Sequence, residues 1–224
     1  MKLKFKNLLL IGSIVISVIL GSCKKEKKQK DVNDEGLTEE IVNLVPDSIL
    51  VEIKSMGMPI NGGATPPNIE DSYIASPFVL KATTVNTFQI GHTFADFKVR
   101  FQNQDNNELS ISMDYINGGE TGTGMESYVV GENNKFSVFC EVNADHNGSS
   151  AKMVIIISGE VATGGIKDLY LSNFMLDNYG NPSGYWIGNG KGRVIYDSDG
   201  FSPTTNSFYR TINLYDKSAS VNSF

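Results

Sequence analysis

The chain has 224 residues, with 19 Lys and Arg against 25 Asp and Glu, a net charge of −6. An acidic balance argues against nucleic acid, because neutralising phosphates takes clustered cations. Two cysteines and two histidines, none at ligand spacing from another, leave no zinc-type ligand set. Neither a metal nor a cofactor is expected.

In chain order, Lys2, Lys4 and Lys6 precede an apolar run from Leu8 to Leu20, interrupted only by Gly12, Ser13 and Ser17. A positive segment followed by a short apolar one is the pattern of an export signal, and the run falls short of the roughly 20 residues that a spanning helix takes. It ends in Leu20-Gly21-Ser22-Cys23. This stretch resembles the lipobox of bacterial lipoproteins of the Bacteroidota type. The resemblance implies that residues 1–22 are a signal peptide. It also implies that the Cys23 thiol carries diacylglycerol, that its amine is acylated (palmitate), and that the chain is anchored to the cell envelope, with the outer membrane as the expected location. Residues 23–36 then form the lipidated cysteine and a tether. Lys24 to Glu35 holds five basic and four acidic residues and no aromatic one, a composition that cannot bury a core. Its basic half suits anionic head groups, so the membrane is the expected partner.

Residues 37–57 read as helical. Glu39 and Glu40 favour a start near Thr38, Pro46 suits the first turn of a second segment, and Gly57 suits a terminating cap. Ile49, Leu50 and Ile53 make a narrow apolar stripe. This predicts one broken helix or two short ones packed on the rest. "PINGGATPPN" ends the helical part.

From Asp71 the period changes to two. "SYIASPFVLKAT" predicts one strand bent at Pro77. "ADFKVRFQN" puts Phe97, Val99 and Phe101 on one face. "LSISMDY" does the same with Leu109, Ile111, Met113 and Tyr115. "NGGETGTG" reads as a glycine-rich turn, and "GENN" as the hairpin turn between "ESYVVGE" and "NKFSVFCEV". In the latter, Phe136, Val138, Cys140 and Val142 share the apolar face, while Phe139 points the other way. "AKMVIIISGEV" is apolar on both sides and predicts a central strand. "IKDLYLSNFMLDN", "YWIGNG" and "KGRVIYDSD" follow, and "FYRTINLY" is a last candidate.

Eight or nine strands without intervening helices favour a mainly β fold with antiparallel pairing. Barrel closure removes exposed edges. The expectation is an up-and-down barrel over residues 58–224, with a β-sandwich as the alternative, and residues 37–224 as one folded unit. Strand number and order are similar to lipocalin-type barrels, although the Gly-x-Trp element of their first strand is absent and the sole tryptophan is Trp186.

Catalytic patterns are sparse. There is no Gly-x-Ser-x-Gly elbow, and "TGTGMES" lacks the Lys-Ser/Thr of a phosphate loop. Asp197 and Asp199 in "YDSDG" look like half a calcium loop, but an Asx-stabilised turn accounts for them better, as it does for Asp177 and Asn178. Cys140 reads as a packed core thiol rather than a nucleophile. Asp47-Ser48-Ile49 matches the triplet used for O-glycosylation of exported proteins in Bacteroidota-type bacteria. No catalytic residue is expected, and an enzyme is the third reading. The first is a membrane-anchored protein that binds a small hydrophobic ligand or a glycan, at residues the sequence leaves unknown. The second is a structural or interaction protein of the envelope with a solid barrel core.

Overall fold

The computed structural model describes residues 29–208, so Cys23, the signal-like segment and all of "FYRTINLY" after Phe208 lie outside the described residues. Two short helices open it, α1 (Glu39–Leu44) and α2 (Asp47–Ser55). Thr38 caps the first by accepting the Ile41 amide on its Oγ1 at 3.3 Å, which satisfies one of the amides a helix start leaves unpaired. Pro46 begins the second, and Gly57 terminates it at φ +85°, a conformation that favours glycine. Ile41, Leu50 and Ile53 are buried. Ser48 of the glycosylation-like triplet is exposed within α2.

Eleven strands follow: β1 (Asp71–Ala75), β2 (Phe78–Thr83), β3 (Thr93–Phe94), β4 (Phe97–Asp105), β5 (Ser110–Asn117), β6 (Glu120–Glu132), β7 (Lys135–His146), β8 (Ser149–Ala162), β9 (Gly165–Asp177), β10 (Gly192–Asp197) and β11 (Phe201–Pro203). All belong to one antiparallel sheet ordered β1-β4-β5-β6-β7-β8-β9-β10-β2-β3, with β11 on β9. From β4 to β10 each strand pairs with its successor, a plain meander.

The sheet curls into a half-barrel, and the chain itself shows why. β1 is first in the strand order and β2 next to last, yet only Ser76 and Pro77 separate them. Three Cα steps of about 3.8 Å cannot span more than about 11 Å, so the two ends of the sheet must approach one another there. A bridge between Tyr73 and Thr204, just after β11, ties the same seam. One curled sheet stands in place of the alternative sandwich of two.

Both faces are covered. Phe136, Val138, Cys140 and Val142 point inward from β7, as the alternation predicts. Phe139 points outward but is fully buried in a second apolar layer with Val154, Ile156, Ile41 and Ile53 under the helices. β8 is therefore apolar on both sides because both sides are packed.

Several expectations need correction. "SYIASPFVLKAT" is two strands on different neighbours, β1 on β4 and β2 on β10, because the chain crosses the seam at Pro77. Leu109 turns outward into the helical layer, with φ +49°. "YWIGNG" is a loop held by Asn181, whose Nδ2 donates to the Trp186 carbonyl at 2.8 Å and whose Oδ1 accepts the Trp186 amide at 2.9 Å. "NGGETGTG" turns only at Gly118 and Gly119; Glu120 already begins β6. β3 and β11 are too short for any periodicity to announce them.

Candidate functional site

The inner face is filled unevenly. Toward one end Tyr73, Phe101, Met113, Phe136 and Val138 close it with side chains. Toward the other end a cavity of about 370 Å³ remains, within the range of ordinary small-molecule sites. Its floor is apolar: Phe78 stacked on Phe97 with centroids 5.1 Å apart, and Met153, Ile155, Leu171 and Ile195. Its wall carries the polar groups Asn117, Glu120, Asn173 and Arg193, with the hydroxyls of Tyr115, Tyr185 and Thr87. The loop over residues 84–92 and the loop over residues 178–191 border it, contributing Phe88 on one side and Tyr185 with Trp186 on the other.

Glu120 is the first residue of β6, and its side chain is held from two directions. Tyr115 Oη donates to Oε1 at 2.5 Å, and Tyr185 Oη donates to Oε2 at 3.0 Å. The carboxyl lies deep among protein atoms, and Glu120 lines the cavity. Burial raises its pKa above the usual carboxylate value, against the lowering effect of the two tyrosine hydrogen bonds and of Arg193. The same burial, with Glu120 close by, pushes Tyr115 and Tyr185 upward, so both stay protonated donors. Room for Tyr115 comes from a glycine: a Cβ at Gly122 would lie 2.1 Å from the Tyr115 ring and 2.7 Å from Val142. Gly122, which reads as part of a turn, is a strand position that lets an aromatic ring come close.

Arg193, on β10, enters from the opposite wall. Its Nη2 donates to Thr87 Oγ1 at 2.8 Å. Its guanidinium lies 5.3 Å from the Phe88 centroid and 5.7 Å from that of Phe94, within cation–π range. Its Nε is buried and has no partner; neither has Oδ1 of Asn173, its direct register neighbour on β9. Among the described residues no carboxylate forms an ion pair with Arg193. Burial lowers its pKa, with Glu120 and Tyr185 opposing.

The two histidines serve the mouth as rings. His92 stacks on Phe88 at 4.1 Å and His146 on Tyr185 at 3.6 Å. Trp186 donates its indole N–H to the Ser149 carbonyl at 3.1 Å, which fixes the ring against the cavity wall.

The residues singled out in the sequence fall elsewhere. Cys23, the lipidation residue, lies outside the described residues. Cys140 is wholly buried in the inner core, with Sγ 2.8 Å from Ser127 Oγ, and burial pushes its thiol up to about 12. A thiol so far from ionisation is no nucleophile at neutral pH. Asp197 accepts from Ser202 Oγ at 2.6 Å and Asp199 from the Phe201 amide at 2.9 Å, a turn-to-strand clasp. Asp177 and Asn178 accept the amides of Tyr179 and Gly180 in the same Asx manner. Among the described residues no group of three or more His, Cys, Asp or Glu is placed to hold a metal. Of the residues that line the cavity, the sequence points to Phe97 and Tyr115 as inward strand positions and to Trp186 as the sole tryptophan. Glu120 is one of 25 acids, and no spacing separates it from the other 24.

No family model matches the chain, and neither does any curated protein or solved structure.

Proposed function

We propose that this is a lipid-anchored envelope protein whose half-barrel, closed in the manner of a lipocalin-like container, binds a small amphipathic molecule inside. The observation that carries the reading is the cavity of about 370 Å³, with an apolar floor and a few polar side chains, Glu120 on one wall and Arg193 on the other. Such division of a site into a greasy body and a few orienting polar groups is what small-ligand pockets share. A volume of this size takes at least about a dozen non-hydrogen atoms, at roughly 30 Å³ each. It suits a compact apolar body better than an extended glycan. A solid barrel would close this end as it closes the other.

Binding rather than catalysis is the role proposed for Glu120, because both its oxygens are occupied by tyrosine hydroxyls of the chain itself. The anchor rests on Leu20-Gly21-Ser22-Cys23 and the charged tether, which together supply acyl chains and a basic patch. An acidic folded part, with 11 basic and 21 acidic residues from Gly36 onward, does not suit nucleic acid.

The sole tryptophan lies on the cavity wall, 6% exposed, and supplies the test. Titrating the full chain with octanol or phenylbutanol is expected to shift Trp186 emission saturably. An emission spectrum that does not move up to the solubility limit of both alcohols would refute the pocket as a binding site.

A further inference from the structure

We infer that the molecule held in this cavity is a small amphipathic carboxylic acid whose carboxylate docks on the guanidinium of Arg193, with its apolar part lying over Phe78, Phe97 and Ile155. The inference rests on the pocket reading above and adds the chemistry of the head group.

The argument is an asymmetry between the two charged side chains of the cavity. Glu120 is complete: each carboxylate oxygen has a tyrosine donor, so nothing calls for a cationic or donor-rich ligand there. Arg193 is incomplete. One of its nitrogens bonds Thr87, both neighbouring rings offer only their faces, and Nε is buried without an acceptor. A buried donor left unpaired is costly, more so when it is charged. No carboxylate of the described chain reaches it. The missing partner is therefore an anion, and a planar guanidinium fork matches a carboxylate edge best. The apolar requirement follows from the floor, where Phe78, Phe97, Met153 and Ile155 offer no polar partner.

The chemistry excludes other head groups on the same grounds. An amine would face the unpaired guanidinium with like charge, and a plain alcohol would offer one acceptor without charge. A charge-assisted hydrogen bond in a low-dielectric site exceeds a neutral one by enough to separate acid from alcohol by at least about tenfold in Kd.

The test is calorimetric titration of the full chain, at pH 8, with two matched pairs, octanoate against octanol and phenylbutyrate against phenylbutanol. At least one acid is expected to bind tenfold or more tighter than its alcohol. Arg193→Gln should abolish that preference, and Arg193→Lys should retain part of it. Glu120→Gln, which removes the one negative charge in the cavity, should tighten the acid. Circular dichroism and melting of each variant establish that it is folded. If alcohols bind as tightly as acids, or if folded Arg193→Gln keeps the acid preference, the carboxylate inference is overturned while the pocket stands. If neither acid nor alcohol binds, the pocket reading falls and this inference with it.

Discussion

The two ends of the curled interior are built by the same strands and differ in what those strands place inside. On β4 the inward Phe101 belongs to the packed end and Phe97 to the open one; on β5 Met113 gives way to Tyr115 and Asn117; on β9 Leu169 gives way to Asn173. At the packed end aromatic rings interlock, with Phe101 6.2 Å from Tyr73 and 6.4 Å from Phe136. At the open end carboxyl, amide and guanidinium groups interrupt the apolar face, and polar groups that must keep hydrogen-bond partners cannot collapse onto one another as hydrocarbon does. A cavity results from replacing a few inward side chains near one rim, with no change in strand pairing.

That difference can be broken at either end. The largest effect is expected from Phe101→Ala, which should destabilise the protein by about 3–5 kcal/mol in urea unfolding, since the packed end has no slack to refill. Phe97→Ala, bordering space that already exists, should cost clearly less. Equal losses at both positions would mean that the two ends are packed alike. Next comes Gly122→Ala, whose methyl would drive into the Tyr115 ring; overpacking of this kind costs about 1–3 kcal/mol. It should also weaken ligand binding by displacing the Tyr115–Glu120 pair. Normal affinity in a folded variant would show that the pair does not shape the pocket. Cys140→Ala, in the inner core, should cost about 1 kcal/mol and leave affinity intact.

How far the sequence disclosed this architecture follows the same division. The β4 and β7 faces, the central β8, the helix start at Thr38 and the turn at Asn133 were legible because burial there follows simple periodicity and capping. The seam was not, because a strand pair broken at Ser76-Pro77 carries the same alternation as one bent strand. Phe139 pointed outward as read, yet it is buried, because alternation reports direction and not whether a second layer covers that face. The site was hidden for a related reason. Glu120, Asn173 and Arg193 are polar residues near strand ends, a pattern identical to a solvated rim, and only the curl of the sheet turns them inward. Gly122 was misread since glycine in a strand and glycine in a turn look alike until the ring above it is seen.

A smaller effect sharpens the electrostatic side of the comparison. In the folded chain burial holds Glu120 above the usual carboxylate pKa of 4.5, while the unfolded chain has no such environment. Across the window between the two values the native state keeps a proton that the unfolded state has lost, so stability falls as pH rises through it and stays lower above. Glu120→Gln should therefore be more stable than the parent at neutral pH, with the gap closing as pH drops below about 4.5. A gap that widens toward acid would reverse the sign of the assignment. Separately, Cys23→Ser is expected to move the full chain from the membrane fraction to the soluble one, and unchanged partitioning would remove the anchor from the account.

The open end is the claim on which the rest hangs, and native mass spectrometry of the full chain taken from its own membranes tests it most directly. The account predicts one retained small molecule on the parent protein and none on a folded Leu171→Trp variant, in which an indole occupies the cavity. A bare parent, or the same molecule on both, would contradict it.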